Sequence, residues 1–96
     1  MYAVVRTYSG PGAKELFDLI EKRQDDVEGL IRAVAGFVSW TLVRTSDGGF
    51  TVTVCQEKAG TDESSQVARD WVAGNAPDIG ASPPQVSEGS ITVHLS

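Results

Sequence analysis

Phe37-Val38-Ser39-Trp40-Thr41-Leu42-Val43-Arg44, Thr45-Ser46-Asp47-Gly48-Gly49 and Phe50-Thr51-Val52-Thr53-Val54-Cys55-Gln56 follow one another without a gap. Two runs of β-branched and aromatic residues flank a cluster of turn formers, which is the pattern of a β-hairpin. Asp-Gly and Gly-Gly offer the positive φ that tight hairpin turns use. In the second run Phe50, Val52 and Val54 point one way and Thr51, Thr53 and Cys55 the other. In the first, Val38, Trp40 and Leu42 oppose Phe37, Thr41 and Val43.

Upstream, Met1 to Tyr8 is rich in strand formers and reads as a first strand, closed by Ser9-Gly10-Pro11-Gly12. From Ala13 the period changes: Leu16, Leu19, Ile20, Arg23, Val27, Leu30, Ile31 and Val34 recur at three and four. This is an amphipathic helix that either runs to about Val34 or breaks near Glu28-Gly29, with Gly36 as its stop. Downstream of the hairpin, Thr61 or Asp62 caps a second helix whose apolar side is Val67, Ala68, Trp71 and Val72. Gly74-Asn75 and Pro77 end it. Pro77 to Gly89 is the longest loop, anchored by Ile79 and Val86, and Ser90 to Leu95 is the last strand. The order strand-helix-strand-strand-helix-strand predicts an α+β, ferredoxin-like split βαβ fold. One domain over residues 1–96 is expected, with a four-stranded antiparallel sheet and both helices on one face.

Composition narrows the partners. Thirteen acidic residues against eight basic ones give a net charge of −5, and no Lys/Arg stripe is present, so nucleic acid and anionic membranes are not expected partners. No stretch approaches the roughly 20 apolar residues of a membrane span. No basic leader precedes a long apolar run, and Cys55 is the only cysteine; a cytoplasmic location is the default expectation. One cysteine and one histidine exclude a disulfide framework, a multi-thiolate zinc site and any site needing two imidazoles from one chain. Gly10-Pro11-Gly12 lacks the lysine and spacing of a phosphate loop, and no metal or nucleotide cofactor is suggested.

The sheet face turned away from the helices should be polar in a monomer. Instead both faces carry apolar residues: Tyr2 and Val4 on one side of the first strand oppose Ala3 and Val5 on the other. A contiguous exposed apolar patch usually marks an interface, and a second copy is its simplest cover. The expectation is a homodimer through the open sheet face.

Several of these stretches together resemble the dimeric α/β barrel superfamily, in particular the antibiotic biosynthesis monooxygenase-like domains. They are the first strand, Gly10-Pro11-Gly12 opening a long helix, Ala35-Gly36-Phe37-Val38-Ser39-Trp40, Leu42-Val43-Arg44 before the hairpin, and Phe50 to Glu57 before the short helix. The resemblance implies two ferredoxin-like protomers packed sheet against sheet as a homodimeric α/β barrel, each with a pocket between sheet and helices. It also implies a range of activities, from cofactor-independent oxidation of aromatic polyketides to haem degradation. The haem-degrading members use an asparagine on the first strand, a tryptophan at the end of the third and a histidine on the second helix. Here those regions read Arg6 or Tyr8, Val54-Cys55-Gln56-Glu57, and no histidine, so that branch is disfavoured.

Five residues are candidate pocket or ligand contacts: Arg6, Tyr8, Trp40, Trp71 and His94. Arg6 lies among apolar strand residues; pointing inward it must be paired and can orient an anionic or phenolate oxygen, while at a rim it snorkels. Tyr8 can donate to a substrate oxygen or simply pack. Trp40 suits a dimer interface, the core or a ligand contact, and Trp71 the core or a pocket wall. His94 is the only group with a near-neutral ordinary pKa. Cys55 reads as a small buried hydrophobe, and Arg44 and Asp25-Asp26 as solvated. The functional expectation is a small homodimeric domain binding an apolar or aromatic molecule. A cofactor-independent monooxygenase acting on phenolic substrates and a structural protein without a pocket are the alternatives, and the sequence leaves catalysis open.

Overall fold

The computed structural model describes all 96 residues. The elements are β1 (Tyr2–Ser9), α1 (Ala13–Lys22), α2 (Gln24–Arg32), β2 (Phe37–Thr45), β3 (Gly48–Cys55), α3 (Lys58–Asn75) and β4 (Gln85–Ser90). The four strands form one antiparallel sheet in the order β2-β3-β1-β4, the ferredoxin-like arrangement. No helix is long and apolar enough to cross a membrane.

Register decides what each face contains. Val4, Arg6 and Tyr8 of β1 are buried under the helices, opposite Thr53, Thr51 and Gly49 of β3. The inner side of β3 is therefore Thr51, Thr53 and Cys55, all buried. Its apolar set, Phe50, Val52 and Val54, lies on the open face beside Ala3, Val5 and Val43. A β-bulge between Phe37 and Ser39 shifts the β2 register and sets Phe37 opposite Cys55, on the same side as Trp40 and Leu42. Phe37 does not oppose Trp40, as plain alternation predicted, and Val38 is left exposed.

The long helix neither runs unbroken to Val34 nor breaks near Glu28-Gly29. It turns at Arg23, whose φ of −108° and ψ of 31° lie outside the helical range. Arg23 still donates its N–H to the Leu19 carbonyl, and its guanidinium meets Asp26 at 2.7 Å and Asn75 at 3.2 Å. The bend lets two short stripes, Leu16/Phe17/Ile20 and Val27/Ile31, pack into one core with Trp71. Gly29 stays inside α2, exposed, with open space around it.

α3 begins at Lys58, three residues before the expected cap. The Thr61 and Ser64 hydroxyls donate to the carbonyls of Lys58 and Thr61 rather than capping. Gly60 extends the helix backward because its bare backbone lies against Ala35 and Cys55, where a Cβ has no room.

The last strand is also displaced. The strand is Gln85–Ser90, of which Gln85 to Gly89 were expected in the loop; it pairs with Thr7 through Tyr2, while Ile91 to Ser96 run past the end of β1. Val86 is consequently a half-exposed strand residue rather than an anchor, whereas Ile79 does pack against the core.

The hairpin turn is shorter than expected: Ser46-Asp47 alone connect Thr45 to Gly48, with no positive φ at either. The glycines serve packing. A Cβ at Gly48 would strike the Tyr8 carbonyl, and one at Gly49 the Phe17 ring. Phe17 in turn stacks edge-on to Tyr8 at 5.6 Å and lies under the Arg44 guanidinium at 5.9 Å. Arg44, expected to be solvated, bridges Asp18 at 3.0 Å and Glu21 at 2.8 Å.

The two glycine environments make opposite predictions. Gly49→Ala should cost about 1–3 kcal/mol through overpacking against Phe17. Gly29→Ala should gain about 0.5–1 kcal/mol by helix propensity. Urea unfolding of both variants checks this; a neutral Gly49→Ala would contradict the packing assigned to it.

Candidate functional site

The helix-facing side of the sheet carries a polar island. Arg6, in mid β1, is only 3% exposed. One terminal nitrogen, Nη1, donates to the Ser65 Oγ at 3.2 Å and lies 3.5 Å from the Ser64 Oγ. Nη2 donates to the Thr53 Oγ1 at 3.3 Å. All of these partners are neutral hydroxyls. The ion pairs of the chain join Arg23, Arg44 and Lys58 to carboxylates, and none involves Arg6. A guanidinium has five N–H donors, and the Arg6 Nε has no partner. Burial lowers the Arg6 pKa; the neighbouring Tyr8 works against that lowering and Arg69 adds to it. Burying a cation without a counter-ion is among the costlier arrangements in a fold.

Two more buried polar atoms beside it are unpaired: the Trp40 Nε1 and the Thr51 Oγ1. Arg6, Thr51 and Trp40 line one cavity of about 40 Å³, together with Tyr8 and an apolar wall that includes Ile20, Val27, Ile31, Trp71 and Val72. That space admits only a few waters. Trp40 also forms the inner wall of two surface clefts of about 280 and 300 Å³ between β2 and the α1–α2 bend. Tyr8 and Val72 likewise separate the cavity from a groove of about 360 Å³ between α3 and Ala81–Pro84. The enclosed polar island thus has ligand-sized space directly behind two aromatic partitions.

The structure brings four of the five candidate residues, Arg6, Tyr8, Trp40 and Trp71, around this cavity. His94 is not among them; it is exposed beyond β4. The Arg6 partners Thr53, Ser64 and Ser65 and the orphan Thr51 were not singled out from the sequence. Their signal was present: Thr51 and Thr53 share one face of β3, and Ser64 shares a helix face with Ala68 and Trp71 at spacings of four and three. Cys55 is fully buried, and burial, with Glu63 nearby, pushes its thiol pKa up. No group of three or more His, Cys, Asp or Glu side chains comes together.

Neither a family model nor a curated protein sequence matches the chain. Solved structures do. The heme-degrader MhuD from Mycobacterium tuberculosis, solved with two hemes bound in its active site, superposes with a TM-score of 0.70 at 15% identity over 100% of both chains. A dimeric ferredoxin-like protein from an uncultured marine organism gives 0.67 at 12% identity, covering 99% of this chain and 95% of that one. A monooxygenase from the gene ActVA-Orf6 of Streptomyces coelicolor, in complex with Nanaomycin D, gives 0.56 at 26% identity, covering 99% and 89%. The chain has the dimeric α/β barrel fold. The likeness to the first two proteins is one of fold alone. The cavity of this chain holds a buried arginine without a carboxylate.

Alkaline pH probes the buried groups. Burial raises the Tyr8 phenol above its ordinary 10.0, with Arg6 working against the rise, and raises the Cys55 thiol above its ordinary 9.0. Both keep their protons longer in the folded than in the unfolded chain. Their contribution is full below the unfolded pKa and is lost as pH rises through the folded one. Unfolding free energy is expected to fall as pH rises above the ordinary thiol and phenol values of 9.0 and 10.0, and to fall less in Tyr8→Phe. Equal slopes for the two proteins would contradict the burial assigned to the phenol.

Proposed function

We propose that this chain, folded as a single domain over residues 1–96, works as a homodimer that binds a small apolar or aromatic molecule bearing an oxygen anion. The observation that carries the proposal is the Arg6 guanidinium. It is 3% exposed and lacks a carboxylate, its Nε has no partner, and Arg6 lines one cavity with Trp40 and Thr51, whose Nε1 and Oγ1 are also unpaired. Folding alone gains nothing from such an arrangement, whereas an anionic oxygen reaching the cavity supplies the missing acceptor. The apolar body of the ligand takes the clefts that adjoin Trp40 on β2. Trp71 and Tyr8 form the remaining aromatic walls. The homodimer covers Ala3, Val5, Val43, Phe50, Val52 and Val54 on the open sheet face. A cytoplasmic location suits the single unpaired cysteine.

A cofactor-independent oxygenase is the second reading. It is favoured by the likeness to the monooxygenase solved with Nanaomycin D. In that reading Arg6 and Trp40 hold a phenol as its phenolate, the electron-rich form that reacts with oxygen. A haem substrate has less support, because no histidine lines the cavity.

Trp40 and Trp71 are the only tryptophans and both face the cavity, so intrinsic fluorescence reports its occupancy. Titration with 2-naphthoate and its neutral counterpart 2-methylnaphthalene tests the reading. The carboxylate should bind at least about tenfold more tightly, and Arg6→Met should abolish that preference. The same variant should unfold no earlier than the parent chain, since a buried unpaired cation stabilises nothing. Equal affinity for the two probes, or a collapse of stability in Arg6→Met, would overturn the proposal.

A further inference from the structure

The two clefts beside Trp40 have two residues in common: Trp40 itself and Glu28. The helix side of both clefts follows one stripe. Glu21, Gln24, Glu28 and Arg32 recur at spacings of three and four, and all four line the clefts. The strand side is β2, from Phe37 to Leu42.

Charge along this stripe is unevenly satisfied. Glu21 accepts from the Arg44 guanidinium at 2.8 Å. Glu28 is half-buried and accepts only from the neutral Gln24 amide, at 2.8 Å. Arg32 follows Glu28 by four residues, the order in which a helical ion pair closes best, yet Glu28 forms no ion pair. Of the two carboxylates on the clefts, Glu28 is therefore the one without a cation, and it shares both clefts with an indole ring. A carboxylate and an aromatic face are the two groups that favour an ammonium, the first by its charge and the second by its quadrupole. A ligand whose only charge is negative meets a like charge at this wall.

We propose that Glu28 and Trp40 form an ammonium subsite, so that the ligand is a dipolar aromatic molecule with its oxygen anion toward Arg6 and a protonated amine in the clefts. The anion end rests on the functional reading above; the ammonium end rests on Glu28 and Trp40 and is tested separately. The Glu28 carboxylate accepts from the ammonium N–H, and the Trp40 ring supplies the cation–π contact. Glu28 then decides between ligands of equal acidity. The apolar wall of Ile20, Ile31 and Leu42 gives no such discrimination.

Fluorescence titration at neutral pH with 2-methylnaphthalene, 2-(aminomethyl)naphthalene, 2-naphthoate and 6-(aminomethyl)-2-naphthoate tests this in the parent chain, Glu28→Gln and Arg6→Met. Each amine should bind at least about fivefold more tightly than its amine-free counterpart. Glu28→Gln, which keeps an acceptor for Gln24, should remove that gain and leave the affinity for 2-naphthoate no weaker. Arg6→Met should keep the gain of 2-(aminomethyl)naphthalene over 2-methylnaphthalene. Amines that bind no more tightly than their counterparts, or a gain that survives Glu28→Gln, would overturn the ammonium subsite alone. An amine gain in a parent chain that does not prefer 2-naphthoate over 2-methylnaphthalene would overturn the Arg6 reading, and with it the dipolar ligand.

Discussion

A guanidinium held in a protein interior without a carboxylate constrains everything around it. Arg6 needs hydroxyls within reach, and the fold provides them from two elements: Thr53 from the neighbouring strand and Ser64 and Ser65 from α3. Those hydroxyls must face inward, which fixes the orientation of β3. With a side-chain period of two, placing Thr51 and Thr53 under the helices puts Phe50, Val52 and Val54 on the opposite face. The polar interior and the apolar exterior of this sheet are therefore one choice of register. The first leaves polar atoms without partners inside the fold, and the second leaves apolar residues on the open face.

The apolar core runs from the hairpin end, at Phe17, to the wall of the Arg6 cavity, at Val27, Ile31 and Trp71. Phe17 is fully buried at the hairpin end, over Gly49, which leaves no space for a side chain. Arg44 closes that end from outside through Asp18, Glu21 and the Phe17 ring. The polar island is held between this packed end and α3. A rigid frame of this kind positions an unsatisfied cation at a cost in stability, the usual trade at a binding site.

Much of the architecture was legible in the sequence because it follows from local periodicity. The hairpin, the helical stripe from Ala13 and the order of elements all gave the ferredoxin-like plan. What was not legible depended on tertiary fit. The bend at Arg23 reflects partners on α2 and α3, Asp26 and Asn75, rather than a local helix breaker. The bulge at Val38 changes the face of Phe37 without leaving a composition signal. Polar Gln85–Ser90 became the last strand because β1 offers pairing there, while the better strand formers after it had no partner in the chain. At the site, Arg6, Tyr8, Trp40 and Trp71 were recognisable by chemistry. Alternation alone does not say which face meets the helices, so the hydroxyls around Arg6 were hidden.

The central claim is that Arg6 and Trp40 present donors awaiting an anionic oxygen. The most direct measurement follows the side-chain Arg6 Nε–H and Trp40 Nε1–H resonances by 15N-edited NMR during titration with 2-naphthoate. Both should move downfield together and saturate with one affinity, and the neutral 2-methylnaphthalene should move neither comparably. Resonances that stay in place while the acid perturbs only residues of the open sheet face would contradict the account.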